Sequence, residues 1–535
     1  MGEQSTSKGF AVLSLATILV KVLSILYVPI LLAIIGEEGN GIYAAAYQVY
    51  VFIYVLTNSG LPVAISKLVA ELIAVKNYKD AVRSFKIARA LLLVLGICMS
   101  LLMAVLAGPL SRALHFERSY LAILALSPTL LFTSTASAYR GYFQGRGNMV
   151  PTAVSQVVEQ IINTIFTLVF AAIFIKHSLE AACAGGTVGT SLGALAASVV
   201  LLLFYSRNKK IKVPKNYRDI EVKRYSYKEL LRKILHYSVP ITLCVGLQYA
   251  GNLVDLWNTK SRLLAAGFSD SAATKLYSYL HKYQQLINAP LSIISALSAA
   301  VLPAISGAVA SNDRESVSSK VNYAFRMCLM ISLPAAVGLS VLSNPIYRFL
   351  KFGEGWYIML YGSFVLVLMS IVQIQSITMQ GAGLLYTVTV NQVLGIIVKI
   401  LVNYFFIAIP SINILGTIIG SIVGYSVPLV LNSFAIRRRV KIKTNIPKLA
   451  FKPFISAAIM GMFVYVLNYL LNGVLGFIHA EYVVTALSVI ISVFAGMTVY
   501  VVYMIIIGGI TAKDLDILPR KLTRLIPKRI KSLLT

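Results

Sequence analysis

Residues 10–35 read FAVLSLATILVKVLSILYVPILLAII, a run in which Lys21 is the one charged residue. A helix needs about 20 mostly apolar residues to cross the hydrocarbon core of a bilayer. This run is long enough to do so, and it is too long for the apolar core of a signal peptide. We therefore expect it to persist as the first membrane-spanning helix.

The same composition continues along the 535 residues, of which 58% are hydrophobic and 13% are charged, with a mean hydropathy of +0.79. These values exclude an ordinary soluble enzyme. The sequence predicts an all-α polytopic membrane protein with 14 transmembrane helices. These predicted spans lie near residues 10–35, 42–66, 87–107, 119–142, 151–175, 180–205, 238–258, 277–305, 324–343, 357–380, 387–409, 412–435, 451–471 and 482–508.

Basic residues are distributed unevenly between alternate loops. The chain has 48 Lys and Arg against 19 Asp and Glu, and the loops on one side hold 37 of the basic residues against eight on the other. Because cytoplasmic loops carry the excess of Lys and Arg, both termini are predicted to lie in the cytoplasm. Nucleic-acid binding is the competing interpretation of a basic chain, but these residues lie in short segments between spans and form no separate soluble domain.

Motifs for catalysis and metal binding are absent from the sequence. It has no GxxxxGK[ST] loop, no HExxH pair and no nucleophile elbow, and its five histidines are scattered. The four cysteines fall inside apolar runs without CxxC spacing, so neither a zinc site nor a disulfide framework is predicted. We therefore expect a protein that is not an enzyme and has no cofactor.

An internal repeat emerges when the chain is compared with itself at a shift of 236 residues. Pro109, Arg112 and Phe116 then align with Pro345, Arg348 and Phe352. Each repeat holds six spans, an even number, so we expect two pseudo-symmetric lobes related by an axis along the membrane normal. The predicted organisation is an N-lobe at 1–205, a basic cytoplasmic linker at 206–233, a C-lobe at 234–436, two C-terminal helices at 437–510 and a basic cytoplasmic tail at 511–535.

A protein with two such lobes usually holds its substrate between them and exposes it alternately to each side of the membrane. Spans 1 and 2 open the first lobe, and spans 7 and 8 open the second. We therefore expect these four spans to line a central cavity. A channel, a receptor and a structural scaffold are the alternatives that this architecture leaves open.

Polar residues at helical spacing in these spans are the candidate substrate ligands. Lys21 lies near mid-bilayer, where a charge normally faces a cavity or a partner, although a snorkelling lysine or a structural ion pair is the alternative. Tyrosines stack on sugars, but packing between helices explains a tyrosine stripe equally well. The predicted cavity residues are Lys21, Tyr47, Tyr54, Asn58, Asn252, Asp255, His281, Lys282, Gln284 and Asn288.

Two further expectations concern polar residues inside spans. Asp255 is expected to pair with Lys282 or Lys21, and a purely structural ion pair is the alternative. Span 5 carries a second polar row, for which hydrogen bonding between helices of one lobe is the favoured role. Its members are Gln156, Glu159, Gln160, Asn163 and Thr167.

The most specific string is RGYFQGRGNMVPTAVSQVVEQ at residues 140–160, whose glycines and proline indicate a tight cytoplasmic hairpin between two spans. Further distinctive strings are GLPVAIS at 60–66, LLAAG at 263–267, VLPAIS at 301–306 and LPAAVGL at 333–339. On these strings the sequence resembles the stage V sporulation protein B and MurJ-type flippases of the multidrug/oligosaccharidyl-lipid/polysaccharide exporter superfamily. The resemblance extends from span 1 to at least span 12.

This resemblance implies a bacterial plasma-membrane flippase that moves an undecaprenyl-pyrophosphate-linked saccharide, lipid II or a related cell-envelope precursor, from the cytoplasmic to the outer leaflet. It implies alternating access without ATP, with Na⁺, H⁺ or Cl⁻ as candidate coupling ions. A cation-coupled multidrug or organic-ion antiporter of the same superfamily is one alternative. A non-transport scaffold for envelope synthesis is the other. The expected partners are the lipid-linked oligosaccharide, membrane lipid and cell-wall synthesis proteins, with a monomeric chain.

MurJ proteins line their cavity with arginines, and the resemblance places Lys21 at the first of these positions. It places His281 or Lys282 at the position of the span 8 arginine. Span 2 departs from the pattern, because Tyr50 and Tyr54 flank the corresponding position and no cation is present. This departure leaves a lipid-linked polysaccharide other than lipid II open as the substrate.

Spans 13 and 14 lie outside the repeat and carry almost no internal charge. A long polyprenyl tail cannot fit in a hydrated cavity, so it needs a lipid-facing groove. The resemblance implies that these two helices form that groove, and ordinary lipid-facing surface is the alternative. The predicted groove residues are Val464, Leu467, Leu471, Val489, Val493 and Met497.

Overall fold

The computed structural model describes residues 6–207, 224–311, 313–442, 444–474 and 480–509. Within these ranges every regular element is a helix. The predicted basic tail at 511–535 and most of the predicted linker at 206–233 lie outside them. The all-helical class predicted from the sequence is confirmed.

The chain forms two compact units, Met1–Ser278 and Tyr279–Thr535. The division falls inside helix α9, and the predicted lobe boundaries remain a prediction. The helices that begin in the first unit are α1 Thr6–Asn58, α2 Gly60–Ala74, α3 Tyr78–Ala113, α4 Tyr120–Leu126, α5 Thr129–Gly145, α6 Val150–Phe174, α7 Leu179–Arg207, α8 Tyr227–Ala265 and α9 Asp270–Ala310. Those of the second unit are α10 Arg314–Val341, α11 Ser343–Phe349, α12 Trp356–Gly362, α13 Val365–Gly381, α14 Leu385–Phe406, α15 Gly416–Ala435, α16 Ile446–Val474 and α17 Glu481–Ile506.

Among the described residues, 11 helices are long and apolar enough to cross a membrane, and 13 are if each of two bent helix pairs counts as one span. The first of them, Leu15–Ala74, runs through α1 and α2 and has 60 residues, which is about 90 Å of helix at about 1.5 Å per residue. That length is about three times the thickness of a hydrocarbon core. The predicted count of 14 also requires this helix to cross twice, and it remains a prediction.

A glycine interrupts this long helix between predicted spans 1 and 2. Gly36 has φ 66° and ψ −178°, a combination that is essentially restricted to glycine because any Cβ would strain the backbone. The long α1 is therefore two helical segments joined at Gly36, and Lys21 lies in the first of them.

The internal repeat reappears in the bounds of the helices. α4 covers residues 120–126 and α12 covers 356–362, while α5 covers 129–145 and α13 covers 365–381. Both pairs of bounds differ by the shift of 236 found in the sequence. The chain also bends between α4 and α5, by 40°, and between α12 and α13, by 49°. The two repeats therefore share the same local geometry here.

Small residues hold α6 against α7. A Cβ on Gly189 would lie 2.3 Å from the backbone nitrogen of Thr167, so the two helices are in close backbone contact. The hydroxyl of Thr167 donates to the carbonyl of Gly186 at 2.8 Å, and Thr190 donates to Asn163 Oδ1 at 3.2 Å. Asn163 and Thr167 thus have the role within one lobe that the sequence favoured for them.

This contact gives a matched pair of substitutions. We expect Gly189→Ala to destabilise the protein by about 1–3 kcal/mol, because the new methyl group overpacks the contact between α6 and α7. Gly307 in α9 has no atom within 4 Å of the same position, so Gly307→Ala should be neutral or slightly stabilising. Thermal unfolding of the purified proteins in detergent measures both effects. Equal unfolding temperatures for the two variants would contradict the packing described here.

Candidate functional site

Lys21 occupies an exposed position on the first segment of α1. The hydroxyl groups of Thr17 and Ser24, each about one turn from Lys21, form hydrogen bonds inside the helix. Thr17 donates to the carbonyl of Leu13, and Ser24 donates to the carbonyl of Val20, each at 2.8 Å. The ammonium group is therefore the part of this face best suited to an external ligand, and its role as a phosphate ligand remains a prediction.

The second segment of α1 carries the tyrosine stripe. Successive ring centroids from Tyr43 to Tyr47, Tyr50 and Tyr54 lie 5.6, 5.6 and 5.9 Å apart. Tyr43 and Tyr50 are buried, whereas Tyr47 and Tyr54 are only half-buried. The stripe therefore packs one edge inside the unit and leaves Tyr47 and Tyr54, the two rings proposed from the sequence, partly accessible.

Asn58 ends this stripe in a different environment from the one expected. It is 6% exposed, and its amide nitrogen donates to Ser134 Oγ at 3.3 Å and to Thr57 Oγ1 at 2.6 Å. Asn58 thus joins α1 to α5. Its predicted place on an accessible cavity surface is not found here, because helices of the same unit cover it.

An ion pair that the sequence reasoning did not select lies beside the stripe. Arg140 on α5 donates from Nη2 to Glu159 Oε2 on α6 at 2.6 Å, and from Nε to Ser155 Oγ at 3.0 Å. Glu159 interacts electrostatically with Tyr47, Tyr50 and Tyr54. The sequence signal was an opposite charge on each arm of one helical hairpin, five residues before the end of α5 and nine residues after the start of α6.

The predicted residues of α8 have unequal exposure. Asn252 is exposed, whereas Asp255 is buried and interacts electrostatically with Tyr277. One turn further on, the ammonium of Lys260 is buried and pairs with Asp270 Oδ1 at 2.9 Å. Asn252 thus keeps a position suited to ligand binding. The pairing predicted for Asp255 with Lys282 or Lys21 remains a prediction.

Lys282 on α9 is fully buried. Its Nζ donates to the carbonyl oxygens of Phe352 at 2.5 Å and Glu354 at 2.8 Å, and it lies 4.6 Å from the ring centroid of Tyr279. These acceptors belong to the loop between α11 and α12. Lys282 therefore stabilises that loop in this structure. The accessible cavity position expected for Lys282 is not found, because its ammonium group is buried and donates to backbone carbonyl oxygens.

The other predicted residues of α9 lie on a more accessible face. His281 and Gln284 are half-buried, and Asn288 is exposed. The Nε2 atom of His281 lies 3.2 Å from the amide nitrogen of Gln285. Which of His281 and Lys282 takes the position at which the resemblance implies a cation remains a prediction. The convergence of α9 with Lys21 on one cavity remains a prediction.

A charged network joins helix ends on the side predicted to face outward. Arg118 bonds to Glu38 and, from Nε, to Glu180 Oε1 at 2.5 Å. Ser278 donates to Glu37 Oε2 at 2.8 Å. These bonds connect α1, α7 and α9 within the first unit. The sequence signal was the acidic pair after Gly36 together with Arg118 in a loop region that contains few basic residues.

The proposed groove rows on α16 and α17 are only partly accessible. Val464 is 2% exposed and packs so closely on α17 that a Cβ at Gly496 would lie 2.6 Å from it. Val489 is also buried, whereas Val493 and Met497 are exposed and Leu467 and Leu471 are half-buried. Val464 and Val489 therefore pack at helix contacts, which corrects their placement as groove walls. The groove itself remains a prediction.

A cavity of about 640 Å³ lies on another face of α16. It is enclosed by the end of α10, by α11 and α12, and by the last turns of α16. Its lining includes the amide side chains of Asn344, Asn468 and Asn472 and the hydroxyl groups of Ser343, Tyr465 and Tyr469. This cavity lies on α16, the helix that carries half of the predicted groove residues.

Long apolar helices in two repeats, with charged side chains held inside the spans, are typical of a multi-pass membrane protein. The sequence pattern of the polysaccharide biosynthesis protein family matches residues 6–309. This is more than half of the chain, which therefore belongs to that family.

Individual relatives cover most of the chain. Stage V sporulation protein B of Bacillus subtilis (strain 168) is 27% identical over 86% of this chain and 90% of its own length. The lipid II flippase MurJ of the same organism is 25% identical over 92% of this chain and 94% of its own length. Among solved structures, a lipid II flippase MurJ in an inward closed conformation matches with a TM-score of 0.66 and 16% identity, covering 92% of this chain and 98% of that one. An inward-facing multidrug resistance MATE transporter also matches at 0.66, with 18% identity over 80% of this chain and 95% of that one.

The buried position of Lys282 leads to a test of whether this residue stabilises the fold or binds a ligand. Lys282→Met keeps the length of the side chain but leaves two carbonyl acceptors without their donor, so we expect a loss of about 1–3 kcal/mol of stability. His281→Ala on the same turn serves as the comparison and should cost less. Thermal unfolding in detergent measures both. An unchanged unfolding temperature for Lys282→Met would show that the contacts to the loop do not stabilise the fold.

Proposed function

We propose that the protein moves an undecaprenyl-pyrophosphate-linked saccharide from the cytoplasmic to the outer leaflet of a bacterial plasma membrane by alternating access. The observation that carries this proposal is similarity over nearly the whole chain, in sequence and in fold, to proteins named as lipid II flippases. Lipid II or a related cell-envelope precursor is the proposed cargo. Both termini are proposed to lie in the cytoplasm, as the basic loops predict.

The chemistry of such a substrate fits the accessible polar residues of the spans. A pyrophosphate carries at least two negative charges, which are costly in hydrocarbon unless a cation faces them. The exposed Lys21 would supply that cation, and Tyr47 and Tyr54 present ring faces and hydroxyl groups of the kind that bind sugars. The polyprenyl tail would stay in lipid along the C-terminal helices.

Outward movement of an anionic head group does not require ATP on physical grounds. A membrane potential that is negative inside favours the export of negative charge by about 2.3 kcal/mol per charge per 100 mV. We therefore propose transport driven by the potential or by a coupling ion, for which Na⁺, H⁺ and Cl⁻ remain the candidates. A monomer with cell-wall synthesis proteins as partners is part of the same proposal.

A cation-coupled multidrug antiporter is the second candidate, because the MATE transporter fold matches with an equal TM-score of 0.66. Its cationic substrates would meet a cation at Lys21. Like charges repel each other strongly at low dielectric, so the charge of this side chain favours the anionic substrate.

Reconstitution into vesicles tests the proposed function. We expect wild-type protein to move a fluorescent undecaprenyl-pyrophosphate-linked saccharide to the far leaflet, and Lys21→Ala to slow this by about tenfold or more, the equivalent of one lost charged contact. Lys21→Arg keeps the charge and should keep most of the transport. Ethidium, a cationic drug, serves as the competing substrate.

Transport of ethidium without transport of the lipid-linked saccharide would replace the flippase proposal with the antiporter. Equal lipid transport by wild-type protein and Lys21→Ala would remove Lys21 from the binding site. Unfolding temperatures of both variants close to that of the wild type would show that any loss of transport does not come from misfolding.

A further inference from the structure

The ion pair between Arg140 and Glu159 lies inside the first unit, away from the end of its hairpin. Arg140 stands five residues before the end of α5 at Gly145, and Glu159 stands nine residues after the start of α6 at Val150. At about 1.5 Å per residue these positions are about 7 and 13 Å from the turn. Charged groups at such depth in a span are costly and commonly functional.

The two side chains of the pair hydrogen-bond to each other but remain partly exposed. Side-chain exposure is 17% for Arg140 and 28% for Glu159. The backbone at Glu159 is already packed against α7, since a Cβ on Gly193 would lie 2.6 Å from the carbonyl oxygen of Glu159. This backbone contact holds α6 against α7, whereas the ion pair joins α6 to α5. An apolar pair of similar size would avoid the cost of desolvating two charges.

The groups around the pair form a surface suited to a polar ligand. Tyr54 lies near both members of the pair, and Tyr47 and Tyr50 lie near Glu159. One turn before Glu159, the Oε1 atom of Gln156 is buried without a hydrogen-bond partner among the described residues. Aromatic rings, hydroxyl groups and an unsatisfied amide oxygen therefore stand beside a guanidinium group.

The guanidinium group of Arg140 has more N–H donors than its described hydrogen bonds use. Its two described hydrogen bonds start from Nε and Nη2, and arginine carries five N–H donors in a planar fork that matches phosphate oxygens. A diphosphate has more charge and more acceptor oxygens than the carboxylate of Glu159. It can bind at the Nη1 edge or displace Glu159 from Nη2.

We propose that Arg140 binds the phosphate groups of the anionic lipid-linked substrate, and that Glu159 orients and neutralises this guanidinium when no substrate is bound. The inference rests on the proposed function. In it, Arg140 supplies a cation to the first unit, where span 2 has none at the position of the MurJ arginine. Ser155, which accepts from Nε, keeps the fork oriented while its other edge exchanges partners. Glu159 then competes with the substrate for Arg140.

The test compares binding of undecaprenyl pyrophosphate to purified protein in detergent with binding of undecaprenol, which has the same chain without phosphate. Glu159→Gln removes the competing carboxylate and should bind the pyrophosphate several-fold more tightly than wild type. The double variant Arg140→Gln/Glu159→Gln removes both charges and leaves no unpaired ion, so it should stay folded. We expect it to bind the pyrophosphate about tenfold more weakly than Glu159→Gln.

Arg140→Lys/Glu159→Gln is the matched control, because it keeps a cation but loses the planar fork. It should bind with intermediate affinity, and none of the variants should change binding of undecaprenol. Equal affinity of Glu159→Gln and the double variant for the pyrophosphate would overturn the role of Arg140. If the double variant fails to fold, unchanged or weaker binding by Glu159→Gln overturns the proposed competition.

Wild-type protein also separates this inference from the function on which it rests. If wild type binds undecaprenyl pyrophosphate no better than undecaprenol, both the proposed substrate and the role of Arg140 are wrong. If wild type prefers the pyrophosphate but the variants bind it equally, only the role of Arg140 is wrong.

Discussion

The constraint on which this structure depends is that polar groups in hydrocarbon must find their partners inside the protein. It explains why every regular element of the described residues is a helix, in which backbone groups pair within one segment. The same constraint explains why the buried and half-buried cations have hydrogen-bond or ion-pair partners. Lys260 pairs with Asp270, Lys282 binds two loop carbonyls, and Arg140 pairs with Glu159.

Lys21 and Arg140 differ from the other two cations in this respect. Lys260 and Lys282 are fully buried and already occupied, whereas Lys21 is exposed and Arg140 retains donors beyond its described bonds. Burial and the number of occupied donors therefore separate cations that stabilise the fold from cations available to a ligand. On this basis we propose two binding cations in the first unit, one on α1 and one on α5.

The fold class was predictable from the sequence because span length and hydrophobicity are local properties. The repeat at a shift of 236 likewise appears both in the sequence and in the bounds of α4 and α12. The roles of Lys282 and Val464 were not predictable, since both depend on which helix or loop packs against them. Arg140 was missed because helical spacing was read one span at a time, whereas its partner lies across a hairpin. A comparison of opposite charges on the two arms of the hairpin, within one or two helical turns of equal depth, would have found it.

The relation between family and substrate follows from the same reasoning. The fold is shared with a lipid II flippase and with a multidrug transporter at the same TM-score of 0.66, so the fold alone does not select the cargo. We propose that the sign of the accessible charges selects between an anionic and a cationic substrate. Lys21 and Arg140 both favour an anion, and the neighbouring tyrosines favour a saccharide attached to it.

Competition binding followed by native mass spectrometry tests this central claim most directly, because it reports which ligand the intact protein retains from a mixture. The mixture would contain an undecaprenyl-pyrophosphate-linked disaccharide, phosphatidylglycerol and tetraphenylphosphonium at equal concentration. The account predicts that wild-type protein retains one lipid-linked disaccharide in preference to both competitors. Preferential retention of tetraphenylphosphonium, or equal retention of the disaccharide and phosphatidylglycerol, would contradict it.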